Sequence, residues 1–368
     1  MTDLAISPWM RATPWTSRVE EAGVAAYNVY NHMLLASHFG DPEAENAHLR
    51  RAVQVWDVAC ERQVEIRGPD AARLVQKMTP RDLSKAEIDQ CFYVPLVDAD
   101  GGMLNDPVAI KLADDRYWLS IANSDALLYA KGLAYGMGAD AEVFEPEVDI
   151  LAIQGPKADD LAARIFGDGV RDIRFFRGGW FDYRGREMFV ARSGYSKQGG
   201  FEVYVEGRKL ALPLWDELFE TGADLDVRVG CPNQIDRIEA GMMSYGTDMT
   251  VENDPFECGL GKFVKEGVGC VADEALAHKA KDGPKRMIRG LRIEGGRPPG
   301  LREPWPLWSG DGKRAGRATS VSFSPTLDTV IATGMVEREF WESGTRLHIE
   351  TPEGVRGAEV AELPFTKD

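Results

Sequence analysis

The sequence contains little cysteine or histidine, and neither residue falls in a metal-binding pattern. Its 368 residues include five cysteines and five histidines. No C-x-x-C, H-E-x-x-H or H-x-x-H spacing occurs, so the sequence predicts no zinc site and no metal catalysis. Scattered cysteines in odd number are typical of reduced thiols in a cytosolic protein rather than of a disulfide framework. These cysteines are Cys60, Cys91, Cys231, Cys258 and Cys270.

Signatures of nucleotide cofactors are also missing. No G-x-G-x-x-G follows a predicted strand, and no G-x-x-x-x-G-K-[ST] occurs. The nearest segment, Gly259-Leu260-Gly261-Lys262, lacks the required spacing. The sequence therefore argues against NAD, against flavin and against a nucleotide-binding oxidoreductase.

Positive charge is scarce. With 43 Lys and Arg against 59 Asp and Glu, the formal net charge is −16, which argues against a nucleic-acid partner. No apolar run approaches the length of a membrane span, and residues 1–15 lack the basic and apolar regions of a signal peptide. We expect a cytoplasmic protein with no membrane partner, and a homodimer because that is the commonest soluble oligomer.

The order of predicted elements indicates an α+β fold. VEIRGPDAARL (64–74) and LAIQGPKADDL (151–161) share one pattern, a strand that ends at Gly-Pro and leads into a helix. This repeat suggests two related α+β lobes. Helical periodicity appears in residues 71–78, 125–134, 158–166 and 208–220.

The C-terminal quarter of the chain has a different amino-acid composition. Gly, Pro and charged residues are dense over 279–316, and we expect a domain boundary near residue 280. Regularly spaced β segments then predict a small barrel or sandwich. They are GLRIEG, RATSVSFSP, TVIATGMVE, TRLHIETP and AEVAELPF. The predicted domains are therefore 1–279 and 280–368.

The segment RSGYSKQGGFEVYV (192–205) carries the most specific chemistry. Gly199 and Gly200 allow a flat ligand to approach the backbone, and Glu202 follows on a strand. An ionised carboxylate can accept two parallel N–H bonds from a 2-amino-4-oxo heterocycle such as a pterin. The alternative is a bulged strand with an exposed glutamate.

Nine motifs in order resemble the folate-dependent aminomethyltransferase family, which includes the T-protein of glycine cleavage. They extend over nearly the whole chain: TPW…VEEAG, VWDVA, GPDA, GGMLND, SGYSKQGGFE, RIEAG, PFECGLG, SFSPTL and ELPF. The resemblance implies two interlocked α+β folate-binding lobes followed by a C-terminal β-barrel. It also implies an enzyme that uses tetrahydrofolate.

Within the family, the segments QVWDVACERQVEIRGPDAARL, GGMLNDPVA and VRDIRFFR resemble the branch that demethylates dimethylsulfoniopropionate. That resemblance implies methyl transfer from the sulfonium to N5 of tetrahydrofolate, with methylmercaptopropionate and 5-methyltetrahydrofolate as products. Two departures argue against aminomethyl-lipoyl chemistry. T-proteins have D-V-S-H-M where this chain has residues 57–61, DVACE, and an Arg where it has Asn233.

The resemblance also implies roles for three residues. Asp106 aligns with the acidic residue beside the reactive folate nitrogen, as catalytic and folate-binding group. Tyr93 would border the pterin, and Glu202 would bind its edge. From the residues alone, Asp106 is equally consistent with a turn bonded to its own backbone, and Tyr93 with a half-buried strand tyrosine.

Six further residues are candidates for binding the methyl donor. A sulfonium accepts no hydrogen bond, so aromatic faces are its natural receptor. Tyr204 ranks first because strand alternation places it on the face of Glu202, and we expect it to line the site rather than the core. Tyr195 and Trp180 follow. The donor carboxylate needs a cation or a hydroxyl, for which the candidates are Arg18, Lys197 and Ser120.

Two alternatives remain open on these residues. A different arrangement of aromatic side chains would bind dimethylglycine or glycine betaine as methyl donor equally well. A non-enzymatic folate-binding relative is less compatible with the sequence, because such proteins carry K-G-C-Y-x-G-Q-E where this chain has PFECGLGKFVK.

Overall fold

The computed structural model describes residues 7–366. The chain divides into two compact units, and each is assembled from separate stretches of sequence. The first unit comprises the described residues up to Ala72 together with Ala86–Phe92 and Val108–Asn233. The second unit comprises Arg73–Lys85, Tyr93–Pro107 and the described residues from Gln234 onward.

Strands dominate the described residues. In chain order they are β1 (Ala26–Tyr30), β2 (Met33–His38), β3 (Val53–Asp57), β4 (Gln63–Arg67), β5 (Gln90–Tyr93), β6 (Leu96–Val97), β7 (Met103–Asn105), β8 (Val108–Ala113), β9 (Arg116–Ser120), β10 (Glu142–Phe144), β11 (Val148–Gln154), β12 (Gly178–Tyr183), β13 (Arg186–Ala191), β14 (Gly200–Glu206), β15 (Val227–Gly230), β16 (Arg286–Ile293), β17 (Trp305–Trp308), β18 (Arg314–Ser324), β19 (Thr329–Glu337), β20 (Arg346–Thr351) and β21 (Gly354–Ala361).

The α-helices are short, and four of them lie where the sequence periodicity predicts helix. They are α1 (Thr16–Glu21), α2 (Pro42–Leu49), α3 (Ala71–Met78), α4 (Ala126–Met137), α5 (Ala158–Phe166), α6 (Ala211–Thr221), α7 (Gln234–Glu239) and α8 (Asp273–Asp282). Helices α3 to α6 were predicted. None of the helices within residues 7–366 has the length and apolar character needed to cross a membrane.

The first unit is built around a six-stranded sheet in the order β12-β13-β14-β11-β3-β15. A five-stranded sheet in the order β10-β4-β9-β8-β5 and the hairpin β1-β2 complete its strands. Every residue of β11 is buried, so alternate side chains enter two different cores. Leu151 and Ile153 pack with residues of α5 and α6, whereas Ile150 and Ala152 pack with Trp118 of β9.

The two Gly-Pro turns predicted from the sequence repeat are both present. Gly68 and Gly155 have φ of 129° and 122°, conformations that favour glycine. A Cβ on Gly155 would lie 2.4 Å from the Ala52 carbonyl oxygen, and one on Gly68 would lie 2.8 Å from the Asp140 oxygen. The prolines occupy the turn just before each helix rather than its first turn.

The second unit contains the hairpin β6-β7, the helices α7 and α8, and a closed barrel in the order β16-β19-β18-β17-β20-β21. The barrel confirms the predicted C-terminal β-domain, and five of its strands match the predicted segments. Strand β17 was not predicted because it contains Pro306 and lies within the Gly- and Pro-rich stretch 279–316, where a loop was expected. Pro306 pairs with β18 but lies outside the part of β17 that pairs with β20, so its missing N–H is tolerated.

Candidate active site

In the second unit, Tyr93 and Asp106 meet directly. Tyr93 is the last residue of β5. Asp106 directly follows β7, the short strand that begins after Gly101-Gly102. The Tyr93 hydroxyl donates a hydrogen bond of 2.9 Å to Oδ2 of Asp106. The other oxygen, Oδ1, is buried and has no hydrogen-bond partner among the described residues. The Asp106 carboxylate therefore bonds to a tyrosine in addition to its own backbone N–H, so the turn aspartate considered as the alternative stays open.

The surroundings of Asp106 raise its pKa to about 7. Burial is the largest cause, and the neighbouring Asp248 carboxylate adds to it. The hydrogen bond from Tyr93 and a backbone N–H act in the opposite direction. A carboxyl group with this pKa can exchange a proton near neutral pH, as general acid–base catalysis requires.

In the first unit, Glu202 is buried, with 6% of its surface exposed. The alternative of an exposed strand glutamate is therefore wrong. Gly200 has φ of 137°, and a Cβ there would lie 2.1 Å from the Ile153 carbonyl oxygen, so only glycine fits beside β11. The Ser193 hydroxyl donates to Oε2 of Glu202 at 2.6 Å. Burial raises the pKa of Glu202, whereas the Ser193 and Tyr204 hydroxyls lower it.

Tyr204 belongs to an aromatic cluster next to Glu202. Its ring stacks on Trp118 at 5.6 Å and contacts Phe189 edge-on at 5.8 Å. Trp180 joins the cluster through Phe189, at 5.3 Å between ring centroids. Tyr204 has 0% exposure, so the expectation that it lies outside the core is wrong. Its hydroxyl makes no hydrogen bond of good geometry among the described residues.

Trp118 was missed by the sequence reasoning. It lies in β9 on the same face as Ser120, two residues away, and its indole N–H donates to Glu65 at 2.8 Å. The alternation in YWLSIAN could have identified it. Ser120 accepts a hydrogen bond of 3.0 Å from Gln63. Burial raises the pKa of Tyr204, and a hydrogen bond with Ser120 partly opposes that rise. The structure thus brings Ser120, Trp180 and Tyr204 into one neighbourhood.

The remaining candidates are Tyr195, Lys197 and Arg18. Tyr195 is half-buried and Lys197 is exposed, both in the segment between β13 and β14. Arg18 forms a two-point ion pair with Asp216, at 2.8 and 2.9 Å, and a further bond with Glu21 at 2.8 Å. Arg18 would have to exchange these partners to bind a substrate carboxylate.

The structure also bears on metal binding and thiol chemistry. Within residues 7–366, no group of three or more His, Cys, Asp and Glu side chains is arranged to hold a metal ion. All five cysteines are unpaired and buried.

Comparison with known proteins identifies the family. The model for the GCVT N-terminal domain matches residues 15–267, and that for the glycine cleavage T-protein C-terminal barrel domain matches residues 286–367. This chain belongs to that family. The resemblance carried by the motifs is confirmed, and with it the expectation of a folate-dependent transferase.

Individual relatives of the T-protein family span the whole chain. The dimethylsulfoniopropionate demethylase DmdA of Ruegeria pomeroyi is 54% identical over 98% of this chain and 99% of its own. An aminomethyltransferase of Chlorobium luteolum is 27% identical over 96% of this chain and 97% of its own. The crystal structure of aminomethyltransferase T from Bartonella henselae has 25% identity and a TM-score of 0.87, covering 97% of this chain and 98% of that one. The predicted fold is thereby confirmed.

Proposed function

We propose that this protein transfers a methyl group from the sulfonium of dimethylsulfoniopropionate to N5 of tetrahydrofolate. The products are methylmercaptopropionate and 5-methyltetrahydrofolate. The observation that carries the proposal is the 54% identity to the Ruegeria pomeroyi demethylase, which extends over 98% of this chain. Identity to the aminomethyltransferase of Chlorobium luteolum is half of that, at 27%.

Two positions support demethylation over aminomethyl transfer. Cys60 is buried where T-proteins carry the histidine of D-V-S-H-M. Asn233 is buried where they carry an arginine, and its side-chain amide donates to the Pro42 carbonyl at 3.1 Å. This position therefore supplies no positive charge for an aminomethyl-lipoyl substrate or for a folate tail.

Asp106 is the proposed catalytic residue. In the reaction, the N5 lone pair forms a bond to the methyl carbon while the sulfur keeps the electrons of the broken C–S bond and leaves as a neutral thioether. The N5 proton must then depart. Asp106 can accept it, because its pKa is about 7 and its Oδ1 is buried without a partner among the described residues.

Glu202 is the proposed anchor of the pterin edge. Ser193 holds one of its carboxylate oxygens at 2.6 Å, so the carboxylate has a fixed orientation. A buried carboxylate that accepts two N–H bonds from the ligand would recover the hydration it lost on folding. Tyr93 would border the ring while its hydroxyl holds Asp106.

The aromatic cluster is the proposed receptor for the sulfonium. Trp180 is only partly buried and offers ring surface, whereas Tyr204 lies in the core and contacts the same Phe189 ring. Tyr195 is a further candidate for contact with the methyl groups. Ser120, Lys197 and Arg18 stay candidates for the donor carboxylate, with Arg18 the one already held by two carboxylates.

An anaerobic incubation tests the function. Purified protein is mixed with tetrahydrofolate and dimethylsulfoniopropionate, and both products are followed by mass spectrometry. Equimolar 5-methyltetrahydrofolate and methylmercaptopropionate are expected. If folate binds but neither product forms, the donor is wrong, and dimethylglycine and glycine betaine are tested in its place.

Three further expectations stay predictions. They are the domain division at residues 279 and 280, the cytoplasmic location and the homodimer. Helix α8 spans Asp273–Asp282 and the barrel begins at Arg286, so truncated forms of the protein cut at different points between 267 and 286 would test the division. Light scattering on the full chain would test the dimer.

A further inference from the structure

Asp89 has an unusually constrained backbone. Its φ is 62°, in the left-handed region that aspartate tolerates better than most residues. Its N–H donates to the Lys111 carbonyl at 2.8 Å, and its own carbonyl accepts from the Gly178 N–H at 2.8 Å. Because the backbone is bonded on both sides, the direction of the Cα–Cβ bond of Asp89 is fixed.

The carboxylate of Asp89 is incompletely paired. Its Oδ1 is buried and has no hydrogen-bond partner among the described residues. The Trp180 indole N–H lowers the pKa of the group by hydrogen bonding, and burial raises it by a larger amount. A buried carboxylate oxygen without a partner is costly and rare in folded proteins, so it requires a functional or structural reason.

Asp89 lies beside the aromatic cluster. Gly178, which bonds to Asp89, begins β12, and Trp180 lies two residues further along that strand. Cys91 is buried, and its burial together with the nearby Glu202 and Asp89 carboxylates raises the pKa of its thiol. Arg177, a cation that acts on the Cys91 thiol, is bound at 2.7 Å to the exposed Glu87.

A second residue with strained backbone, Phe176, also borders the aromatic cluster. Phe176 has φ of 58°, which is uncommon for a bulky side chain, and its ring packs against the aromatic cluster. Its carbonyl accepts from the Cys91 N–H at 3.0 Å, and its N–H donates to the Arg192 carbonyl at 3.0 Å. Strained backbone of this kind concentrates at binding sites, where the surroundings hold it in place.

We propose that Asp89 is a specificity-determining residue that supplies the counter-charge for a cationic methyl donor bound at the Trp180 ring. The proposal rests on the proposed function. Aromatic faces attract any cation, and a carboxylate in a poorly hydrated site adds a charge-selective attraction. The attraction ends when the methyl group leaves, because the product thioether carries no positive charge. Asp89 thus favours the sulfonium over its own product.

The effect should fall on donor binding rather than on the chemical step. An interaction with the charge of the bound sulfonium is made before the transition state and weakens during methyl transfer. Its removal should therefore raise KM for the donor without lowering kcat. The KM for tetrahydrofolate should not change.

The test is Asp89→Asn, which keeps the size of the side chain, the tolerance for the left-handed backbone and an acceptor for the Trp180 indole. We expect KM for dimethylsulfoniopropionate to rise at least about tenfold, with kcat within about twofold of wild type. By calorimetry, Kd for the sulfonium should rise while Kd for methylmercaptopropionate stays constant. Glu187→Gln is the matched control, since it removes one exposed carboxylate of β13, the strand paired with β12, and should change none of these values.

Several outcomes would overturn the proposal. One is an Asp89→Asn variant with wild-type donor KM, and another is an equal loss of affinity for sulfonium and thioether. If Asp89→Asn behaves as wild type while Asp89→Ala fails, Asp89 only positions Trp180. If wild-type protein does not demethylate dimethylsulfoniopropionate, the proposed donor is wrong. The charge comparison is then made with glycine betaine against its uncharged carbon isostere 3,3-dimethylbutanoate, and equal losses of affinity there refute the role of Asp89.

Discussion

The Tyr93 hydroxyl is bonded to one oxygen of Asp106, and the other oxygen of that carboxylate is buried without a partner among the described residues. One side of the carboxylate is thereby fixed and the other is available to a ligand. The same pair sets the protonation of Asp106, because burial raises its pKa to about 7 and the Tyr93 hydrogen bond limits that rise.

Asp106→Asn should nearly abolish turnover without unfolding the protein. The amide can neither stabilise the positive charge that develops on N5 during the attack nor accept the N5 proton afterwards, and losing such a group typically lowers rates by about 10²–10⁴-fold. Single-turnover formation of 5-methyltetrahydrofolate measures the effect. Thermal unfolding at pH 8 is the control, and Tm should not fall, because the variant no longer buries a charge. Turnover at the wild-type rate would remove Asp106 from the mechanism.

The pH profile should carry the signature of Asp106. If the ionised form accepts the proton, kcat rises with pH through about 7. Tyr93→Phe removes a hydrogen bond that lowers this pKa, so the rising limb should move to higher pH. Steady-state rates between pH 5.5 and 9 check the direction. A limb that stays in place would mean that another group titrates.

Glu202→Gln should weaken binding of tetrahydrofolate by roughly 10- to 100-fold, the usual effect of losing a charge-assisted hydrogen bond. Ser193→Ala should act in the same direction but more weakly, since it frees the carboxylate without removing it. Fluorescence titration with tetrahydrofolate gives both Kd values. Glu206→Gln, on the same strand but partly exposed, is the control. Unchanged binding in Glu202→Gln would refute the pterin assignment.

Tyr204 requires a pair of variants, because it is fully buried. Tyr204→Ala should lower Tm by roughly 10 °C, since it removes a large ring from a packed aromatic cluster. Its activity would then be uninformative. Tyr204→Phe keeps the stacking on Trp118 and should retain Tm and the donor KM within about twofold. A tenfold rise of the donor KM in Tyr204→Phe would show that the hydroxyl itself takes part in binding.

Several features could be predicted because they depend on short stretches of sequence. The Gly-Pro turns at Gly68 and Gly155 require conformations that favour glycine, and the barrel strands alternate visibly. Glu202 could be identified as a candidate because two glycines precede it on a strand. Strand β17 could not, because Pro306 and its neighbours hide the alternation.

The sequence by itself determined the family, the fold class and the residue types available for chemistry, since these are written in motifs and local periodicity. Only the tertiary structure decided the burial, the pKa and the contacts of each of these side chains. Burial raises the pKa of Asp106 to about 7. The packing of the strands buries Tyr204 in the core beside Trp118. The bond between Asp89 and Gly178 joins segments distant in sequence. Desolvation and long-range pairing depend on the packing of the whole chain, and no local pattern encodes them.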